Sequence, residues 1–148
     1  MIVKWKTPVR PISGKALRTV YVYLPKRAEE DPDARFPVLY MFDGHNVFFD
    51  KDATYGKSWG MGNYLEETDT DLIVVGVDCD HRPPHGRLSE YSPFSFTDQE
   101  FGHVVGRGRL FMDWLTGVLK PMIDEKYPTM PEREHSAESA MMEAISGA

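Results

Sequence analysis

The chain has 148 residues, the length of one domain, and 41% of them are hydrophobic, enough to fill a globular core. A formal net charge of −6 disfavours electrostatic binding to nucleic acid or to an anionic membrane surface, so a neutral or weakly polar small molecule is the expected partner. No apolar run approaches the ~20 residues that cross a bilayer, the start lacks the apolar core of a signal peptide, and the single cysteine, Cys79, excludes an internal disulfide and a multi-cysteine zinc site; a cytoplasmic protein is expected.

Residues 2–7 read as a short strand, followed by a turn over residues 11–14. Its antiparallel partner is Thr19-Val20-Tyr21-Val22-Tyr23-Leu24-Pro25, where β-branched and aromatic residues favour extended backbone and the proline ends the ladder. Residues 26–35 are charged, include Pro32 and read as an exposed loop. Phe36-Pro37-Val38-Leu39-Tyr40-Met41-Phe42 is apolar on both faces, as in a central strand covered by helices on both sides, and stops abruptly at Asp43-Gly44-His45-Asn46. A second run, Leu72-Ile73-Val74-Val75-Gly76-Val77, stops in the same way at Asp78-Cys79-Asp80, and residues 60–68 suit a short helix between the two. That order predicts two parallel strands joined by a right-handed crossover.

Residues 81–101 are polar and proline-rich. Beyond them Leu110, Phe111, Trp114, Leu115, Val118, Leu119, Met122 and Ile123 draw one stripe along a helix, with a kink expected where the Pro121 ring meets the carbonyl of Gly117. Tyr127-Pro128 closes that element. The fold class is α/β, with a mostly parallel sheet, helices on both faces and an antiparallel N-terminal hairpin.

In open α/β sheets ligands bind beyond the carboxyl ends of parallel strands, where residues 43–46 and 78–81 fall. The stretch Pro37-Val38-Leu39-Tyr40-Met41-Phe42-Asp43-Gly44-His45-Asn46-Val47-Phe48 resembles the strand and turn of the putative-esterase family, which includes enterochelin esterases, feruloyl esterases and esterase D. Further blocks of likeness follow in the family's order: residues 20–25, 87–93 and 119–127, with Pro131-Glu132-Arg133-Glu134-His135. The resemblance implies a partial α/β-hydrolase over residues 1–135, followed by a divergent tail, 136–148. It implies carboxylic esters as substrates, no cofactor, Gly44 and His45 as backbone donors of an oxyanion hole, and Asn46, Glu90 and Tyr91 as substrate-loop residues. The glycine lets backbone approach a ligand closely. Read without the family, Asp43-Gly44 is an ordinary turn at a strand end.

The family's nucleophile is a serine on a sharp strand-to-helix turn of the form Gly-x-Ser-x-Gly. After His135 that turn is expected, yet the chain reads Ser136-Ala137-Glu138-Ser139-Ala140-Met141-Met142-Glu143. Gapless alignment puts Met142 at the nucleophile position and charged Glu138 in a strand that should be apolar. A shifted register brings in Ser139, a weak candidate because its flanks become Ala137 and Met141. The triad's acid and histidine follow the nucleophile in this family, whereas His45, His81, His85, His103 and His135 all precede it. The sequence is therefore read as lacking the elbow and as catalytically incomplete, with self-association through an exposed sheet edge expected. Asp78, Asp80, His81 and His85 have ligand-type side chains, but Pro83-Pro84 breaks any helical spacing between the histidines, and no metal is expected. A non-catalytic binding or interaction module on a hydrolase scaffold is the alternative. A third reading is an unrelated small α/β domain that binds a ligand at residues 43–48.

Overall fold

The computed structural model describes residues 1–130. Strand β1 (Ile2–Pro8) passes through a short helix α1 (Arg10–Ser13) into β2 (Leu17–Tyr23), and the strands pair antiparallel from Ile2 opposite Tyr23 to Pro8 opposite Leu17. After helix α2 (Lys26–Glu30), strand β3 (Val38–Phe42) runs into a 3-10 turn, Gly44–Asn46. Helix α3 (Met61–Glu67) then leads to β4 (Ile73–Val77), which pairs parallel with β3. Helix α4 (Gly86–Tyr91) and a small hairpin, β5 (Phe96–Asp98) and β6 (Gly102–Val104), follow. Helix α5 (Gly108–Trp114), a π-helical segment (Leu115–Leu119) and α6 (Lys120–Lys126) complete the described elements.

The α/β architecture and the antiparallel N-terminal hairpin are as expected, but the balance of pairings differs. The main sheet has the order β1-β2-β4-β3, and two of its three pairings are antiparallel because β2 lies directly beside β4. The apolar runs reveal that β3 and β4 are buried; they do not reveal which strand sits between them and the hairpin. Strand β4 is the inner one, and β3 is an edge among the described residues except where Phe36 forms an isolated parallel bridge to Thr129.

Alternation along the strands divides the core between the two sheet faces. Val20 and Val22 of β2 join Ile73, Val75 and Val77 of β4 in packing with Phe111, Trp114, Leu115, Leu119 and Ile123 of the continuous helical stretch from α5 to α6. Tyr21, Tyr23 and Val74 point the other way, onto Val47, Phe48 and Leu65. The effect expected at Pro121 is taken up one turn earlier: Lys120 N–H donates to the Leu115 carbonyl, a π-type bond that lets the helix continue past a residue without an N–H. Residues 26–30 and 86–91 are helices rather than loops, since short charged helices carry little apolar periodicity.

Candidate functional site at the ends of β3 and β4

The turn after β3 is pinned by a glycine pair. A Cβ built on Gly44 would stand 2.4 Å from the carbonyl carbon of Gly76 in β4, so no larger residue fits without moving backbone. Asp43 just before it has φ of 53°, a left-handed conformation that aspartate tolerates better than most residues. Two bonds from Arg87, at 2.9 and 2.6 Å, grip its carboxylate. The Tyr91 hydroxyl donates to Asp43 Oδ1 at 3.0 Å and accepts the Asp43 N–H at 3.2 Å. Burial raises the Asp43 pKa, but the Arg87 and Tyr91 bonds outweigh it and hold the carboxyl below the usual carboxylate range. The turn is thus set before any ligand arrives, and the N–H groups of Gly44 and His45 donate to no acceptor among the described residues.

His45 points toward the end of β4. Its Nδ1 lies 2.8 Å from Asp78 Oδ1, off the hydrogen-bonding direction, so this buried nitrogen makes no hydrogen bond. Its Nε2 is 3.0 Å from Thr54 Oγ1. His81 Nε2 reaches the same Asp78 oxygen at 2.7 Å, and both ring nitrogens of His81 lie 3.7 Å from Cys79 Sγ. One donor atom from each of His45, Asp78, Cys79 and His81 falls within 4.8 Å of all the others. Burial, reinforced by Asp78, pushes the Cys79 thiol up to about 12, so it is no nucleophile as it stands. A cleft of about 680 Å³ opens beside this group, lined by Lys4, Tyr21, His45, Thr54, Asp78 and His81 among others. Thr54, His45 and Asp78 follow one another as hydroxyl, imidazole and carboxylate do in a hydrolase triad, but the misdirected Nδ1 lacks the bond that orients a catalytic base.

The other sequence candidates are distributed as follows. Asn46 braces the next loop, its side-chain oxygen accepting the Thr54 N–H and its carbonyl the Trp59 N–H. Glu90, expected on a substrate loop, is fully buried, with Oε2 2.6 Å from Arg18 Nη1. Burial pushes its carboxyl up to about 7 against the pull of Arg18. Tyr91 is half-buried and serves Asp43. Asp80 is taken by Arg82, and His85 packs against Phe101, so neither joins Asp78 and His81; His45 does instead. Ser139 and the stretch after His135 lie outside the described residues.

The reading that the sequence lacks a Gly-x-Ser-x-Gly string needs correction. One occurs upstream, as Gly56-Lys57-Ser58-Trp59-Gly60. No strand leads directly into it: after β3 and the 3-10 turn the segment is irregular and leads into α3. The Ser58 hydroxyl donates to the Phe48 carbonyl and accepts the Gly60 N–H, which leaves it engaged in the loop rather than raised on an elbow.

Residues 14–148 match a family model described as putative esterase. The chain's fold is similar to that of an IroE-like serine hydrolase from Shewanella oneidensis, with TM-score 0.62 and 18% identity over 87% of this chain and 40% of that one. It is also similar to the siderophore hydrolase EstA from Aspergillus nidulans (TM-score 0.58, 14% identity, 91% and 45% covered) and to the BES protein from Bacillus cereus (TM-score 0.56, 20% identity, 86% and 47% covered). The chain spans less than half the length of each of these three structures. No curated protein sequence matches.

Proposed function

We propose that this chain, which belongs to the putative esterase family, forms the oxyanion-hole side of a carboxylic-ester hydrolase and is catalytically incomplete on its own. One observation carries the reading: the Gly44 and His45 N–H groups donate to no acceptor among the described residues, and they sit on a turn fixed by the Gly44–Gly76 contact and the Asp43–Arg87–Tyr91 lock. Attack on an ester carbonyl places negative charge on its oxygen, and donors already aimed there stabilise that charge without reorganising. The nucleophile, the acid and the base must come from beyond the described residues, because Ser58 is tied into its loop and Cys79 is held as a thiol. Residues 136–148 carry no recognisable elbow, which supports incompleteness. A lone buried thiol suits a cytoplasmic setting, and the outer edge of β3, bridged only at Phe36 among the described residues, offers a surface for self-association.

The test is turnover of a p-nitrophenyl ester together with fluorophosphonate labelling of the 148-residue chain. Neither turnover nor labelling is expected. Hydrolysis abolished by Ser139→Ala or Ser58→Ala would overturn the reading of incompleteness. The cleft beside His45 favours one alternative, a binding module, because its lining residues run only from Lys4 to His81 and need no nucleophile elbow. Saturable binding of a carboxylic acid in the cleft, together with coding DNA that holds no strand-borne Gly-x-Ser-x-Gly beyond the last codon, would favour that module over the hydrolase.

A further inference from the structure

We propose that His45 Nδ1, Asp78 Oδ1, Cys79 Sγ and one imidazole nitrogen of His81 form a four-ligand site for a divalent transition metal of the zinc class. The donor set comes first. Two imidazoles, a thiolate and a carboxylate are the groups a borderline-soft ion such as Zn²⁺ selects, and a thiolate with a carboxylate balances its charge. Zinc bonds of about 2.0–2.3 Å in a tetrahedron place ligand atoms roughly 3.3–3.8 Å apart. The Cys79 to His81 separation of 3.7 Å already matches. The two imidazole nitrogens, at 2.8 and 2.7 Å from Asp78 Oδ1, need only a fraction of an ångström of spreading, roughly, to reach that spacing.

A second, independent observation is the state of His45. Its ring is more than nine-tenths buried, and Nδ1, within 4.8 Å of the other three donor atoms, makes no hydrogen bond. Buried polar atoms are nearly always satisfied, so an orphan here marks the place of a missing partner. On the far side of the ring, Thr54 Oγ1 at 3.0 Å from Nε2 can accept the ring proton. In the tautomer where Thr54 accepts that proton, Nδ1 carries a bare lone pair, the arrangement an outer partner gives metal-bound histidines. Thr54 is itself held by Asn46, which accepts its N–H. The route in is open: His81 is exposed and lines the cleft, whereas Cys79 is buried.

Four protein ligands make a closed, structural site rather than a catalytic one with a water position. It ties the end of β3, through His45, to the end of β4, through residues 78–81. All four ligands lie within residues 1–130, and the site stands whether or not the esterase reading holds.

Co²⁺ titration of the 148-residue chain tests it by absorbance. The expected result is one equivalent bound, a tetrahedral visible spectrum with a thiolate-to-cobalt charge-transfer band, and displacement by Zn²⁺. His81→Ala, at an exposed position where folding is safe, weakens Co²⁺ binding by about 100-fold or more, and Thr54→Val by about tenfold. Cys79→Ser removes the charge-transfer band, and His85→Gln changes nothing. A saturated complex without the thiolate band overturns the proposal, as does wild-type affinity in His81→Ala or the absence of saturable binding.

Discussion

Strands β3 and β4 end alike in sequence, each passing from an apolar run straight to an aspartate, but the two aspartates do different work. Asp43 is buried within a lock: Arg87 and Tyr91 both come from α4, and a left-handed backbone sits beneath the carboxylate. Asp78 faces a cleft, and His45, His81 and the Cys79 N–H all converge on its single Oδ1 atom. The first carboxylate fixes the chain; the second collects side chains from separate loops. A strand-ending aspartate is therefore ambiguous until its partners are known, and those partners are distant in sequence.

The sharpest way to break the fixed end is Gly44→Ala. The added Cβ would meet Gly76 backbone in the inner strand, and neither strand can yield without losing register. A loss of about 4 kcal/mol is expected, at the severe end for overpacking, with a matching fall in the urea midpoint. An unchanged midpoint would show that the turn is free to shift, and that its N–H groups are not preset.

Asp43→Ala comes next, at about 3 kcal/mol, because Arg87 and Tyr91 lose their shared acceptor and the left-handed residue loses the side chain that suits it. Asp43→Asn keeps the conformation and part of the bonding, so it should recover roughly half of that loss. Equal damage from the two variants would make the charge, rather than the geometry, the controlling feature.

The same helix gives a pH signature. Glu90, raised by burial to about 7 when folded against an ordinary value of 4.5, holds a proton that the unfolded chain has already released. The unfolded state binds fewer protons between those values, so this contribution is full below about pH 4.5 and is lost as pH rises to about 7. Relative to Glu90→Gln, the wild-type chain should lose about 2–3 kcal/mol across that window. Parallel stability curves for the two proteins would mean that Arg18 keeps Glu90 ionised throughout.

Local patterns made much of the frame legible. The runs at residues 19–25, 36–42 and 72–77 mark β2, β3 and β4 because buried strands need continuous or alternating apolar residues. Helix α4 was not legible, since Arg87, Glu90 and Tyr91 read as a polar loop until Asp43 and Arg18 are seen across from them. His45 gave no local sign of joining Asp78 and His81, a juxtaposition made by parallel pairing of two strands far apart in the chain. The string at residues 56–60 shows the converse: it meets the letter of a motif, but with no strand leading directly into it the serine is not presented.

Asp78→Asn should cost least, about 1 kcal/mol in metal-free buffer, because asparagine keeps an oxygen for the Cys79 N–H and the side chain borders water. Its value lies in what zinc adds. A ligand at 100 times its dissociation constant stabilises the native state by about 2.7 kcal/mol, so Zn²⁺ should raise the wild-type Tm clearly. The substituted amide offers a weaker, uncharged donor and leaves the site with one negative charge too few, so the variant should show little of that rise. The gap between the two proteins should then widen on adding Zn²⁺ and close on adding chelator, while Asp43→Asn shows the same deficit in both buffers. A constant gap for both aspartates would remove the distinction between a fixing end and a collecting end.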